Sequence, residues 1–222
     1  MPLAANTATV QILDDNATHV VAKFQFFQHT ANAGSHEASV VKINANALVC
    51  RTQELTFTDV PQYLWPTDVA TQGNNAAITG RVASWKGNTV TVVLMNSAAA
   101  FQNSATVTFS RPAGNLTTHT LTATGANKTL PELALRQASW SISGNSATRV
   151  ALEWAGNPNT EIIAFSSGSG YIGKNNLATT IPSDVTNPTG DVNITTYGTP
   201  ALTGYSIIAE FAKVKGYGPQ GQ

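Results

Sequence analysis

The feature that most constrains this chain is a period of two, repeated in short runs along its length. From His19 to Phe27, Val20, Ala22, Phe24 and Phe26 fall on one face and His19, Val21, Lys23 and Gln25 on the other. Val90, Val92 and Leu94 alternate with Thr91 and Val93. Ala105, Val107 and Phe109 alternate with Thr106 and Thr108. Val150, Leu152 and Trp154 alternate with Arg149, Ala151 and Glu153, and Tyr205, Ile207, Ala209 and Phe211 with Ser206, Ile208, Glu210 and Ala212. Side chains of a strand point to opposite faces in turn, so this rhythm predicts half-buried antiparallel strands. Gly- and Pro-bearing clusters separate the runs, as at Ala33-Gly34-Ser35, Lys86-Gly87-Asn88, Ser143-Gly144-Asn145 and Gly156-Asn157-Pro158. Gly supplies positive φ and Pro presets φ, so such clusters end strands mechanically. Two short stretches, Leu130 to Gln137 and Asn96 to Phe101, read as candidate helices, both too short to stand alone. The expectation is an all-β chain of about ten to thirteen strands.

The strand runs are unevenly distributed. Residues 1–58 supply too few to close a core, whereas Ile78 to Thr124 form a separate cluster behind the Pro-bounded connector Val60 to Pro66. This predicts an antiparallel β-sandwich, jelly-roll-like, built from 1–58 plus 127–222. A small β-barrel-like domain, 59–126 with its connector, is inserted into it. The rival arrangement is two sequential β-domains meeting near residue 127.

Charge narrows the function. Twelve Lys and Arg balance twelve Asp and Glu, and only 11% of the 222 residues are charged. Scattered cations with no net charge give no footprint for a nucleic-acid backbone. One cysteine excludes an internal disulfide framework and a multi-Cys zinc site. No run approaches the ~18 apolar residues that span a bilayer, and Met1 to Thr9 lacks the basic and apolar regions of a signal peptide. The expected partners therefore include neither nucleic acid nor membrane. Thr, Ser and Asn make up 64 residues. Part of this is β-propensity. The rest gives a wet but uncharged surface, which suits a protein that works against neighbours.

Templates for chemistry fail one after another. There is no Gly-x-Ser-x-Gly elbow. Gly168-Ser169-Gly170-Tyr171-Ile172-Gly173 spells Gly-x-Gly-x-x-Gly, but Asn175-Asn176 and Ile181-Pro182 follow where a phosphate-binding loop needs a helix, so a surface loop is expected. His19, His29, His36 and His119 show no metal-pair spacing. Asp14-Asp15 and Asp191 occupy turn positions. Cys50 reads as a small buried hydrophobe. Four Asn-x-Thr sequons, at Asn16, Asn115, Asn127 and Asn193, follow from composition. The chain is therefore expected to be no enzyme, with no catalytic residue, no cofactor and no metal. Trp140 and Trp154 sit in strand runs and are expected in the core. Tyr63 and Trp65, beside two prolines, are candidates for an exposed or interfacial aromatic anchor, either a protein-docking pair or a carbohydrate platform. Tyr217 lies in a short polar tail, Lys215 to Gln222, expected to order only against a partner.

One resemblance bears on function. The progression Ser139-Trp140-Ser141-Ile142, Leu152-Glu153-Trp154, Thr189-Gly190-Asp191-Val192-Asn193-Ile194-Thr195-Thr196 and Gly204-Tyr205-Ser206-Ile207-Ile208-Ala209-Glu210-Phe211 resembles β-sandwich virion structural proteins of tailed phages, notably those of cyanophages. This chain departs from their pattern at Val192 and Ser206. Val20 to Phe27 and Val40 to Ile43 fit the first strands of the same unit. Ile78 to Trp85 with Gly87 to Val92 is similar to a small β-module found in such proteins. The resemblance implies a virion location and a capsid- or tail-associated structural role. A head decoration or cement protein bound to the major capsid protein and to its own copies is the first expectation, and a neck or tail component the second. Tyr63, Trp65 and Tyr217 are the candidate interface residues. A carbohydrate-binding host-attachment module is the alternative of another class.

Overall fold

The structure, a computed structural model, describes residues 7–27, 37–61, 63–66, 68–96, 99–111, 119–173, 186–198 and 203–218. Among them are fifteen strands and no helix, so the chain is all-β, with a few more strands than the rhythm alone suggested. It forms two compact units. One comprises 1–15, 19–45 and 132–214, the other 16–18, 46–131 and 215–222.

The first unit is a sandwich of two antiparallel sheets. One has the order β1 (Thr7–Asp15), β2 (His19–Phe27), β15 (Gly204–Lys215), β10 (Glu132–Ser143), β13 (Gly168–Ile172). The other runs β12 (Thr160–Ser166), β11 (Arg149–Trp154), β14 (Val192–Tyr197), β3 (Val40–Ile43). The period of two is realised residue by residue. Val20, Ala22, Phe24 and Phe26 on β2 are buried, as are Tyr205, Ile207, Ala209 and Phe211 on β15. Their register places Phe24 opposite Ile207 and Ala22 opposite Ala209. Aromatic pairs join the two sheets. Trp154 of β11 meets Phe211 of β15 edge to face at 6.3 Å, and Trp140 of β10 stacks on Phe165 of β12 at 4.8 Å. Such pairs add about 0.5–1.5 kcal/mol each beyond the area they bury.

The second unit is a closed barrel of six antiparallel strands. These are β4 (Thr52–Phe57), β7 (Thr89–Leu94), β6 (Asn75–Lys86), β5 (Val69–Gln72), β8 (Thr106–Ser110) and β9 (His119–Asn127), in that order around the barrel. Leu55, Phe57, Val90, Val92, Val107 and Phe109 fill its interior. Closure satisfies both edges of every strand.

The structure departs from the sequence reading in three places. Residues 46–57 belong with the barrel, because β4 pairs with β7 on one side and β9 on the other. The expected helix at Leu130 to Gln137 is the start of β10. Leu133 and Leu135 are both fully buried while Arg136 is exposed, which is strand alternation. The Gly-x-Gly-x-x-Gly stretch is strand β13 rather than a loop, paired with β10 from Ala138 to Ile142. Gly170 sits opposite Trp140, and a Cβ there would lie 2.3 Å from a ring carbon of Trp140. Glycine is thus needed at Gly170 for close packing.

Candidate interaction surfaces

In the barrel unit, the connector between β4 and β5 carries Tyr63 and Trp65. Leu64 between them points into the core, while Tyr63 is 75% and Trp65 61% exposed. The backbone at Tyr63 has φ 61°, a conformation that costs a non-glycine residue of order 1 kcal/mol or more. Buried Asp68 holds this turn. Its Oδ2 accepts the Trp65 backbone N–H at 2.9 Å, and its Oδ1 accepts Arg111 Nε at 2.9 Å. Arg111 Nη2 also donates to the Tyr63 carbonyl at 3.2 Å, and the guanidinium stacks 4.9 Å from the Trp65 ring centroid. The Trp65 ring and the Tyr63 backbone are therefore held by an ion pair beneath them. That rigidity lowers the entropy cost of docking against them. The pairing of Asp68 with Arg111, 43 residues apart, was invisible in sequence.

Tyr217 stands differently. It is half-buried and packs in the same unit, its ring 5.3 Å from the Arg51 guanidinium. Arg51 is fully buried and donates to the carbonyls of Gly216 and Thr129 and to Asn46. Burial, the larger influence, lowers its pKa, and Tyr217 opposes that shift. Backbone bonds from Thr52 to Gly216 and from Gly218 to Cys50, both 2.9 Å, fix the segment. Residues 215–218 thus order against the chain itself, which corrects the expectation that the tail orders only on a partner.

In the sandwich unit, the surface that stands out is the edge strand β1. Its register sets Ala8 opposite Phe26, Val10 opposite Phe24 and Ile12 opposite Ala22. Residues directly opposite in an antiparallel pair share a face, so these three continue the core-facing rows of β2 and β15. Yet Val10 is 40% and Ile12 43% exposed, whereas Phe24 and Ile207 are fully buried. The core face runs out from under its cover at β1. Leu13, the bulged residue between the Ile12 and Asp14 pairings, is exposed as well. At the end of β1, Asp14 pairs with His19 at 2.8 Å and Asp15 with Lys213 at 2.6 Å. The exposure of this row is not a property of the strand itself, because it depends on how far the facing sheet extends.

The remaining candidates resolve simply. Cys50 is buried. Asp191 accepts the Ala45 N–H at 2.8 Å, a turn role. Trp154 is core, and Trp140 is half-buried over Gly170. Asn193 of the last sequon is buried in β14. His29, His36 and Asn115 lie outside the described residues. Among the described residues no three His, Cys, Asp or Glu side chains are grouped to hold a metal ion, and no helix is long and apolar enough to cross a membrane.

No family model and no curated protein matches the chain. Among solved structures, one titled as infectious bursal disease virus Gx strain aligns over 95% of this chain and 72% of that chain, at 9% identity and TM-score 0.24. One of the Gt strain aligns over 94% and 68%, at 9% identity and TM-score 0.24. A third, described as manganese lipoxygenase of Gaeumannomyces graminis with part of zonadhesin of Komagataella pastoris, covers 97% and 85% at 12% identity and TM-score 0.17. Scores this low do not establish a shared fold, and these alignments carry no argument about function.

Proposed function

We propose that this chain is a non-catalytic structural protein of a tailed-phage virion, a head decoration protein that binds the capsid surface and neighbouring copies of itself. The observation that carries the reading is the uncovered apolar row on β1. Solitary β-proteins blunt their edge strands with charged side chains, Pro, β-bulges or very short length. β1 has nine residues, and its bulge and its two acids lie at its end, so the stretch Thr7 to Ile12 carries none of these devices. The other edges of the two sheets are shorter: β13 has five residues with two glycines, β3 four, and β12 seven with an exposed Glu161. An antiparallel pair of β1 strands related by a two-fold axis at Gln11 would set Val10 against Ile12 of the second copy. It would also hold the two Asp14-Asp15 ends far apart. A parallel pair would bring those acidic ends together. A surface of few charges supports the same reading, since neighbours can approach it without desolvating ions. The strand progression that resembles tailed-phage virion proteins supplies the particle.

Protein analysis of purified virions tests this. Hundreds of copies per particle are expected for a lattice-bound decoration protein, whereas a single ring's worth would assign it to the neck or tail. Absence from the particle would overturn the reading.

A second reading rests on a separate observation, the exposed pair Tyr63 and Trp65, with the Trp65 ring held by Arg111. Such a pair is also the chemistry of a sugar-stacking platform in a host-attachment module. A glycan-binding screen separates the two. Binding lost in Tyr63→Ala and Trp65→Ala would favour attachment, and a blank screen would remove it.

A further inference from the structure

The outward face of the sheet β12–β11–β14–β3 gathers oxygen ligands that the interaction surfaces do not use. Val150, Leu152 and Trp154 of β11 face the core, so Glu153 faces outward. Its register neighbours are Glu161 on β12 and Asn193 on β14. Three oxygen-bearing side chains from three adjacent strands therefore lie in one row. Glu153 is only 7% exposed, yet among the described residues it has no ion-pair partner. Its carboxylate is held by neutral donors: Tyr197 OH at 3.3 Å, Thr195 Oγ1 at 2.7 Å and Asn159 Nδ2 at 3.2 Å. The cation of this face, Arg149, is stacked 4.2 Å from the Tyr197 ring centroid.

Two features of the row are unfavourable as they stand. Like charges directly opposite each other on neighbouring strands are destabilising, and Glu153 faces Glu161 in that way. Asn193 is 4% exposed, and among the described residues its Oδ1 has no hydrogen-bond partner. A buried acceptor left unsatisfied costs about 1–3 kcal/mol.

We propose that Glu153, Glu161 and Asn193 form a calcium-ion site on the outward face of the sandwich. One cation would relieve the carboxylate repulsion and the orphaned amide oxygen together, and would tie β12, β11 and β14 across their register. The donor set is all oxygen, which selects a hard cation. Ligands spread along a sheet row suit calcium, which accepts irregular coordination, better than magnesium, which demands near-octahedral geometry. With two carboxylates and Arg149 nearby, the affinity falls in the weak class, on the order of 10⁻⁴–10⁻³ M.

The test uses the full chain stripped with EDTA. Calcium titration is expected to raise Tm with saturation, and terbium is expected to give luminescence sensitised through Tyr197. Glu161 is exposed, and its amide would relieve the repulsion on Glu153, so Glu161→Gln should raise Tm in EDTA slightly and weaken calcium binding at least tenfold. Asn193→Asp should lower Tm in EDTA and recover it in calcium, with tighter binding than the parent. No Tm shift up to about 10 mM calcium, ten times the weakest expected dissociation constant, would overturn the site. So would an equal shift in Glu161→Gln. A Tm loss in Asn193→Asp that calcium leaves unchanged would instead mean an amide turned to donate to Glu153, and would also overturn it.

Discussion

Lys42 and Glu37 meet inside the sandwich, both buried, and the Tyr205 hydroxyl donates to the second carboxylate oxygen of Glu37. Removing one member of such a pair leaves the other charge buried and uncompensated. Lys42→Met is therefore expected to lose about 3–5 kcal/mol, read from the shift of the urea unfolding midpoint. Tyr205 gives a pH prediction with a definite sign. Burial first, then the Glu37 charge and the bond to it, raise its pKa above the ordinary 10.0. Below pH 10 the phenol is neutral in both states and its contribution is complete. Above pH 10 the unfolded chain ionises while the folded one does not, so stability falls by about 1.4 kcal/mol per pH unit from this group. Stability measured from pH 8 to 12 should show this slope, and Tyr205→Phe should remove its share. Sequence placed Tyr205 on the core face correctly. It could not place Glu37 against it, because the two are 168 residues apart.

Among the elements, β1 and β13 show what alternation reveals and what it hides. The apolar row of β1 looks in sequence like any half-buried strand; only the facing sheet's extent leaves Val10 and Ile12 in solvent. If β1 pairs with a second copy, Val10→Lys and Ile12→Lys should reduce the mass measured by light scattering to that of one chain. Unchanged Tm in the variants would show that the fold is intact, since both positions are already exposed. For β13, Gly170→Ala forces a methyl into the Trp140 ring and should cost about 1–3 kcal/mol of stability, as overpacking does. Restoration by a smaller residue at Trp140 would confirm the contact. The glycines of β13 gave a false motif in sequence, since spacing alone does not tell a strand beneath a tryptophan from a phosphate loop.

For the whole molecule, the sandwich is discontinuous in sequence and the barrel nearly continuous. β2 lies between β1 and β15, and β3 pairs with β14, so residues 132–214 alone lack three strands and leave one edge of β15 and one edge of β14 unpaired. A fragment 132–214 should show the poor NMR dispersion of an unfolded chain. A fragment 46–131 should fold as a barrel, and adding Lys215–Gln222 should stabilise it, because Arg51 is satisfied by Gly216 and Tyr217. By itself the sequence determined the all-β class, the inward face of most strands and the uncharged surface, since these follow from local periodicity and composition. Only the tertiary structure decided which strands pair, which apolar row is left uncovered, and which aromatic is free. Tyr63, Trp65 and Tyr217 look alike as residues, yet two stand in solvent and one is folded over Arg51. Exposure is a property of what lies opposite, and what lies opposite comes from distant parts of the chain.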